Sequence, residues 1–111
     1  MDSGMADLNP GPAALTVTSS SEDGATVLAL SGELDMSNAP ALREAIASSG
    51  AERTGRLILD LSRLTFIDSA GIAVLLEAAE RLDSVSLRDP VRAVWRVIEI
   101  TGLTQMLPRE S

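Results

Sequence analysis

Two stretches constrain this chain more than any others. Residues 56–61, RLILDL, form a nearly unbroken aliphatic run, and in residues 69–82 apolar side chains return every third or fourth position. A short aliphatic run of this kind predicts a central strand covered on both faces. In the second stretch Ile72, Leu75, Leu76, Ala79 and Leu82 make one stripe, with Glu77, Glu80 and Arg81 elsewhere, which predicts an amphipathic helix. A strand that leads into a helix is an α/β unit. Its connection carries Asp68 and Ser69 to the C-terminal edge of the sheet, where functional loops collect.

The rest of the chain fits around that unit. Residues 1–13, rich in Gly, Pro and small polar side chains, read as a disordered leader, and residues 14–111 as one domain. Leu15 and Val17 alternate with Thr16 and Thr18, Asp23-Gly24 is a hairpin turn signal, and ATVLALSG follows as a second strand. GELD, residues 32–35, then ends that strand in a loop with two carboxylates. Ser37 is expected to cap a helix with Ala39, Leu42 and Ile46 inside, Pro40 in its first turn and Gly50 beyond its end. SVSL at 84–87 reads as a short strand. Asp89 is expected to cap a last helix with Pro90 at its first position, Val91, Val94, Trp95 and Ile98 inside, and Gly102 as its stop. Right-handed crossovers place the helices on a common face. The expected fold is a small mixed β-sheet with helices mainly on one face, opening with a β-hairpin.

Composition narrows the function. The 111 residues contain no His, Cys, Lys or Tyr, which removes Ser-His-Asp and Cys-His nucleophilic sites, Schiff-base chemistry and zinc sites built on thiolate or imidazole. It also argues against a response-regulator receiver, whose usual Lys is absent. No cofactor or metal is implied. The net charge of -7, with no stripe of Arg, argues against direct nucleic-acid binding. No apolar run reaches the ~18 residues of a membrane span, and no basic segment precedes an apolar one at the N-terminus, so a cytoplasmic protein is expected. The lack of Cys fits that compartment. An acid-base hydrolase using Glu33, Asp35 and Asp68 stays open only if a cleft gathers those carboxylates.

The Asp68-Ser69 pair admits two readings. Either residue is a good helix cap, and a cap alone explains most such pairs. Alternatively Ser69 is a modification site. Ala70, Ala73 and Val74 fall away from the predicted buried stripe, and a small apolar patch beside a hydroxyl suits docking. A phosphate there would meet the positive end of the helix dipole within this domain. Toward a partner it would add about 1.5 to 2 negative charges beside Asp68 and the carboxylates of Glu33 and Asp35.

SGELD at 31–35, LDLSRLTFIDSAGIAVLL at 59–76 and DPVRAVWRVIEITGL at 89–103 together resemble the STAS domain of bacterial anti-sigma factor antagonists, over about residues 14 to 107. Asp-Ser-Xaa-Gly after an aliphatic strand is the specific part. The resemblance implies a protein that binds an anti-sigma factor and thereby frees a sigma factor, regulating transcription by partner switching. The anti-sigma factor would also be a Ser/Thr kinase, supplying Mg-ATP itself and phosphorylating Ser69, with a PP2C-type phosphatase restoring the hydroxyl. Asp35 and Asp68 match acidic neighbours of the phosphosite, and Gly71, Ala70, Ala73 and Val74 complete the implied partner surface. Ala70 stands where many relatives carry a second hydroxyl, so the assignment falls on Ser69 alone. Relatives usually continue through a last helix, so a shortened or missing C-terminal helix is expected here. An apolar edge left uncovered would suit a homodimer, or the domain is simply smaller. Related STAS-like domains also serve as scaffolds or transporter-associated subunits with constitutive, phosphorylation-independent binding, and in that case Ser69 would be only a cap.

Overall fold

The computed structural model describes residues 14–110; the expected leader over 1–13 lies outside the described residues. In chain order the elements are β1 (Leu15–Glu22), β2 (Ala25–Leu34), α1 (Ala39–Ser48), α2 (Ala51–Thr54), β3 (Arg56–Ile67), α3 (Ser69–Arg81), β4 (Ser84–Arg88) and α4 (Arg92–Thr101). The sheet has the order β1-β2-β3-β4. β1 pairs antiparallel with β2, while β2-β3 and β3-β4 are parallel. The hairpin turn falls on Asp23 and Gly24, at φ 50° and 81°. Positive φ at both positions suits the right-handed twist of the flanking strands, and Asp-Gly adopts it at low cost.

One face of the sheet carries the core. Leu28, Leu30, Leu57, Leu59 and Leu61 from the strands form one cluster with Leu42 and Ile46 of α1, Leu75 of α3, and Val94 and Ile98 of α4. Burying each such side chain contributes about 1.5–3 kcal/mol. The RLILDL run predicts cover on both faces, but among the described residues helices cover only one. On the other face Ile58 shelters in a small cluster with Ala25 and Val27. Beyond Ile58 the same parity places Asp60 and Ser62 in an open groove with Thr16, Thr18 and Ser31. Only one residue of the run asked for apolar cover on that side.

β3 is twice as long as the run suggested, and two bulges explain the difference. Between the pairs Ala29-Asp60 and Ser31-Arg63, two steps along β2 match three along β3; between Gly32-Leu64 and Glu33-Phe66, one step matches two. Each extra residue turns the following side chains over. Leu61, Leu64 and Ile67 therefore all enter the core at a spacing of three, which no strand alternation predicts. β2 likewise continues through Gly32 and Glu33 to the buried Leu34, so GELD is strand rather than loop up to Asp35.

Two expected caps are displaced. Asn38, not Ser37, occupies the α1 N-cap, because Ser37 turns back onto Asp35. α4 begins at Arg92, with Asp89 at φ 49° and Pro90 still outside the helix. Its core stripe is narrower than predicted: Val94 and Ile98 are buried, Val91 and Trp95 half-buried. After Gly102 the chain turns back and buries Leu107, and its residues 108–110 run beside β4. Leu87 N–H donates to Pro108 O at 2.8 Å and Glu110 N–H to Leu87 O at 2.7 Å. The chain thus covers the β4 edge with its own backbone.

Arg88 holds this C-terminal segment to the hairpin, pairing with Glu110 at 2.5 Å and Glu22 at 2.6 Å. The Arg88 guanidinium holds both carboxyls below their ordinary value. A carboxyl whose pKa is depressed on folding adds stability above its unfolded pKa and loses it as the pH falls through the folded value. Stability should therefore decline as the pH drops below about 4.5, and Arg88→Gln should flatten that decline in urea titrations between pH 7 and 3. Gly71→Ala is the packing test. A Cβ there would stand 2.6 Å from Leu34 Cγ and 2.9 Å from Ile67 Cγ1, so it should cost about 1–3 kcal/mol in urea unfolding.

Candidate functional site

The site is built where β2 and β3 deliver their C-terminal ends side by side. Leu34 pairs with Ile67, and Asp68 N–H donates to Leu34 O at 3.1 Å, so the loop after β2 and the start of α3 leave the sheet together. Asp68 is the α3 N-cap, with extended backbone at φ -116° and ψ -174°. Its Oδ1 accepts from Ala70 N–H at 2.9 Å and Gly71 N–H at 3.1 Å, two of the orphan donors of the first turn. Its Oδ2 accepts from Met36 N–H at 3.2 Å, across to the other loop.

That second loop is organised by its own side chains. Asp35 Oδ1 accepts from Ser37 N–H at 2.9 Å and Ser37 Oγ at 2.5 Å. Asp35 N–H donates to Asn38 Oδ1 at 3.0 Å, and Asn38 Nδ2 donates to Glu33 O at 2.9 Å. These local bonds are the Asx-type turns that short polar side chains favour. They leave Met36 standing out of the loop, 77% exposed.

Ser69 is then the first residue of α3, exposed, and its Oγ makes no hydrogen bond to the described residues. Of the two residues able to cap the helix, Asp68 does so and the Ser69 hydroxyl is left over. Ala73 is exposed one turn on and Ala70 half-buried. Small side chains there let another molecule approach the hydroxyl closely.

Two residues expected on this surface lie inside. Val74 is 1% exposed. It faces the seam with α1, where Arg43 and Glu77 also meet at 2.8 Å. The buried side of α3 is turned toward Gly71, Val74, Leu75 and Ala78, with Leu76 and Ala79 only half-buried, because α1 packs on α3 from the side as the sheet packs from below. Gly71 is buried at the closest approach of α3 to Leu34 and Ile67, so its role is to let the helix sit down on the strands. Met36 is the surface residue that sequence reasoning missed. Its one signal was an apolar side chain in an otherwise polar loop directly after GELD.

The acidic residues do not converge on a catalytic cleft. Asp35 and Asp68 accept hydrogen bonds from the two loops, Glu33 is exposed, and none of the three lines the groove beside Trp95. Among the described residues no group of three His, Cys, Asp or Glu side chains could hold a metal ion, and no helix is long and apolar enough to cross a membrane.

The division of labour between Asp68 and Ser69 is directly measurable. Asp68→Ala should lower unfolding free energy by about 1–2 kcal/mol, since it orphans helix donors and frees the Met36 loop. Ser69→Ala should change it by no more than about 0.5 kcal/mol. A large loss for Ser69→Ala in urea unfolding would make the serine a structural cap after all.

Comparison with known proteins agrees with this architecture. A family profile described as "Mlab, STAS domain" matches residues 17–108. The anti-sigma-F factor antagonist RsfB of Mycobacterium tuberculosis is 37% identical over 71 residues, which cover 64% of this chain and 58% of that protein. This alignment therefore spans under two thirds of the relative's length. The crystal structure of an anti-sigma factor antagonist from Mycobacterium paratuberculosis superposes with a TM-score of 0.79 at 33% identity, covering 86% of this chain and 85% of the other. SpoIIAA, an anti-sigma factor antagonist solved in its unphosphorylated form, shares the fold at a TM-score of 0.71 and 23% identity, over 86% of this chain and 89% of that one. With its hairpin-led mixed sheet, one-sided helices and a family match over nearly all the described residues, the chain belongs to the STAS domain family.

Proposed function

We propose that this protein is an anti-sigma factor antagonist that binds an anti-sigma factor through the surface around Ser69 and is switched off by phosphorylation of that serine. One observation carries the reading: the Ser69 hydroxyl is exposed and makes no hydrogen bond with the described residues, at the start of a helix whose cap is supplied by Asp68. A hydroxyl without a structural task is available to a kinase. The names borne by RsfB and by the Mycobacterium paratuberculosis structure support the same role.

In this reading the anti-sigma factor is also the Ser/Thr kinase. It binds Mg-ATP and transfers the phosphoryl group to Ser69 Oγ, and a PP2C-type phosphatase removes it. The protein itself is a binding partner and kinase substrate, not an enzyme, and acts in the cytoplasm on sigma-factor-dependent transcription. The contact surface is Met36, Ser69, Ala70 and Ala73, with Asp35 and Asp68 holding the two loops in register. A homodimer stays open in this reading; at the β4 edge the chain's own backbone already provides cover.

The switch follows from where charge can be tolerated. On Ser69 a phosphate sits at the positive end of the α3 dipole, which tolerates added negative charge, so the domain stays folded. At the interface the same phosphate must be desolvated or displaced, and it adds to the nearby Asp68 carboxylate.

Ser69→Glu should weaken binding to the anti-sigma factor by about 2–5 kcal/mol, roughly thirtyfold or more, with little change in unfolding midpoint. Isothermal titration calorimetry with the anti-sigma factor of the same host reads this directly. Equal affinity for wild type and Ser69→Glu would favour a scaffold or transporter-associated subunit that binds regardless of phosphorylation.

A further inference from the structure

We propose a second docking surface, on the exposed face of α4, that takes an acidic segment of a partner protein carrying an apolar side chain. A groove of about 620 Å³ runs along this helix, lined by Arg92, Trp95, Arg96, Glu99, Ile100 and Arg109. It shares no residue with the surface around Ser69.

The charge of the groove is opposite to that of the chain. The protein carries a net -7, yet three arginines gather here against the single carboxylate of Glu99. Arg43, Arg81 and Arg88 elsewhere are each ion-paired to a glutamate. Arg92 and Arg96 are exposed and make no ion pair with the described residues. They stand four residues apart on one helix face, a like-charge spacing that works against the helix itself. The Arg109 guanidinium lies over the Trp95 ring at 5.2 Å from its centroid, which brings the third cation into the same groove from the C-terminal segment.

The groove also presents apolar side chains beside the arginines. Ile100 is 82% exposed, the most exposed of the large hydrophobic side chains among the described residues. Together with the half-buried Trp95 ring it gives the groove apolar surface beside the cationic side chains. Interfaces favour aromatic and Arg anchors of this kind. Carboxylates spaced along a peptide would meet Arg92 and Arg96, while an apolar side chain settles against Trp95 and Ile100. Electrostatic complementarity therefore selects an acidic partner.

Trp95 is the only tryptophan in the chain, so its fluorescence reports on the groove without a label. The probe is a short synthetic peptide of alternating Glu and Leu, with alternating Lys and Leu as its control. The Glu-Leu peptide should give a saturable change in Trp95 emission that weakens as salt is raised. Affinity should fall about tenfold or more in the double variant Arg92→Glu, Arg96→Glu, and hold in Arg63→Glu, which alters net charge outside the groove. Circular dichroism checks that each variant is folded. No saturable change, equal binding of the Lys-Leu peptide, or equal affinity in the double variant would overturn the proposal. So would displacement by inorganic phosphate or a nucleoside triphosphate at matched charge, which would assign the groove to small anions. None of these results bears on the reading of Ser69.

Discussion

The Asp68 carboxylate is the contact on which the site depends. One oxygen satisfies two N–H groups at the start of α3, and the other takes Met36 N–H from the loop after β2. A helix start and a neighbouring loop are thereby fixed to each other through a single side chain. The consequence for Ser69 is chemical freedom. A serine beside a helix start normally spends its hydroxyl on the backbone; here that need is already met, and the oxygen faces outward.

The sheet puts the two loops within reach of Asp68. β2 and β3 are parallel neighbours, so their C-terminal ends emerge on the same edge. The two bulges in β3 let it run on past Leu61 while still turning Leu64 and Ile67 into the core. Gly71 then allows α3 to settle against Leu34 and Ile67, which anchors the helix start close above the strand ends. Packing below, capping at the edge and exposure above are one arrangement, and a change in any of them moves the others.

Much of this was legible in the residues. The hairpin, the order of strands and helices and the one-sided helix layer follow from alternation, turn chemistry and crossover handedness. Exposure of Ser69 and the capping capacity of Asp68 could also be read locally. What could not be read depends on neighbours distant in sequence. Val74 is buried because α1 lies against α3, and helical periodicity carries no knowledge of a second helix. β3 outruns its aliphatic stretch because bulges break the alternation that defines a strand in sequence. Ser37 fails to cap α1 because Asp35, two residues earlier, offers its hydroxyl a closer acceptor. Met36 was missed because a lone apolar residue in a polar loop has no pattern; its position becomes meaningful only once Asp68 is seen to hold its backbone.

In the proposed function, modification of Ser69 acts on binding and not on the fold. The most direct measurement uses the full chain phosphorylated at Ser69 and reads two quantities on the same sample: the urea unfolding midpoint, and affinity for the host's anti-sigma factor. The expected result is an unchanged or slightly raised midpoint, because the phosphate meets the positive end of α3, together with loss of binding. A lowered midpoint would mean that phosphate disrupts the domain, and undiminished affinity would mean that the hydroxyl is not at the interface; either result would rule out a switch at Ser69.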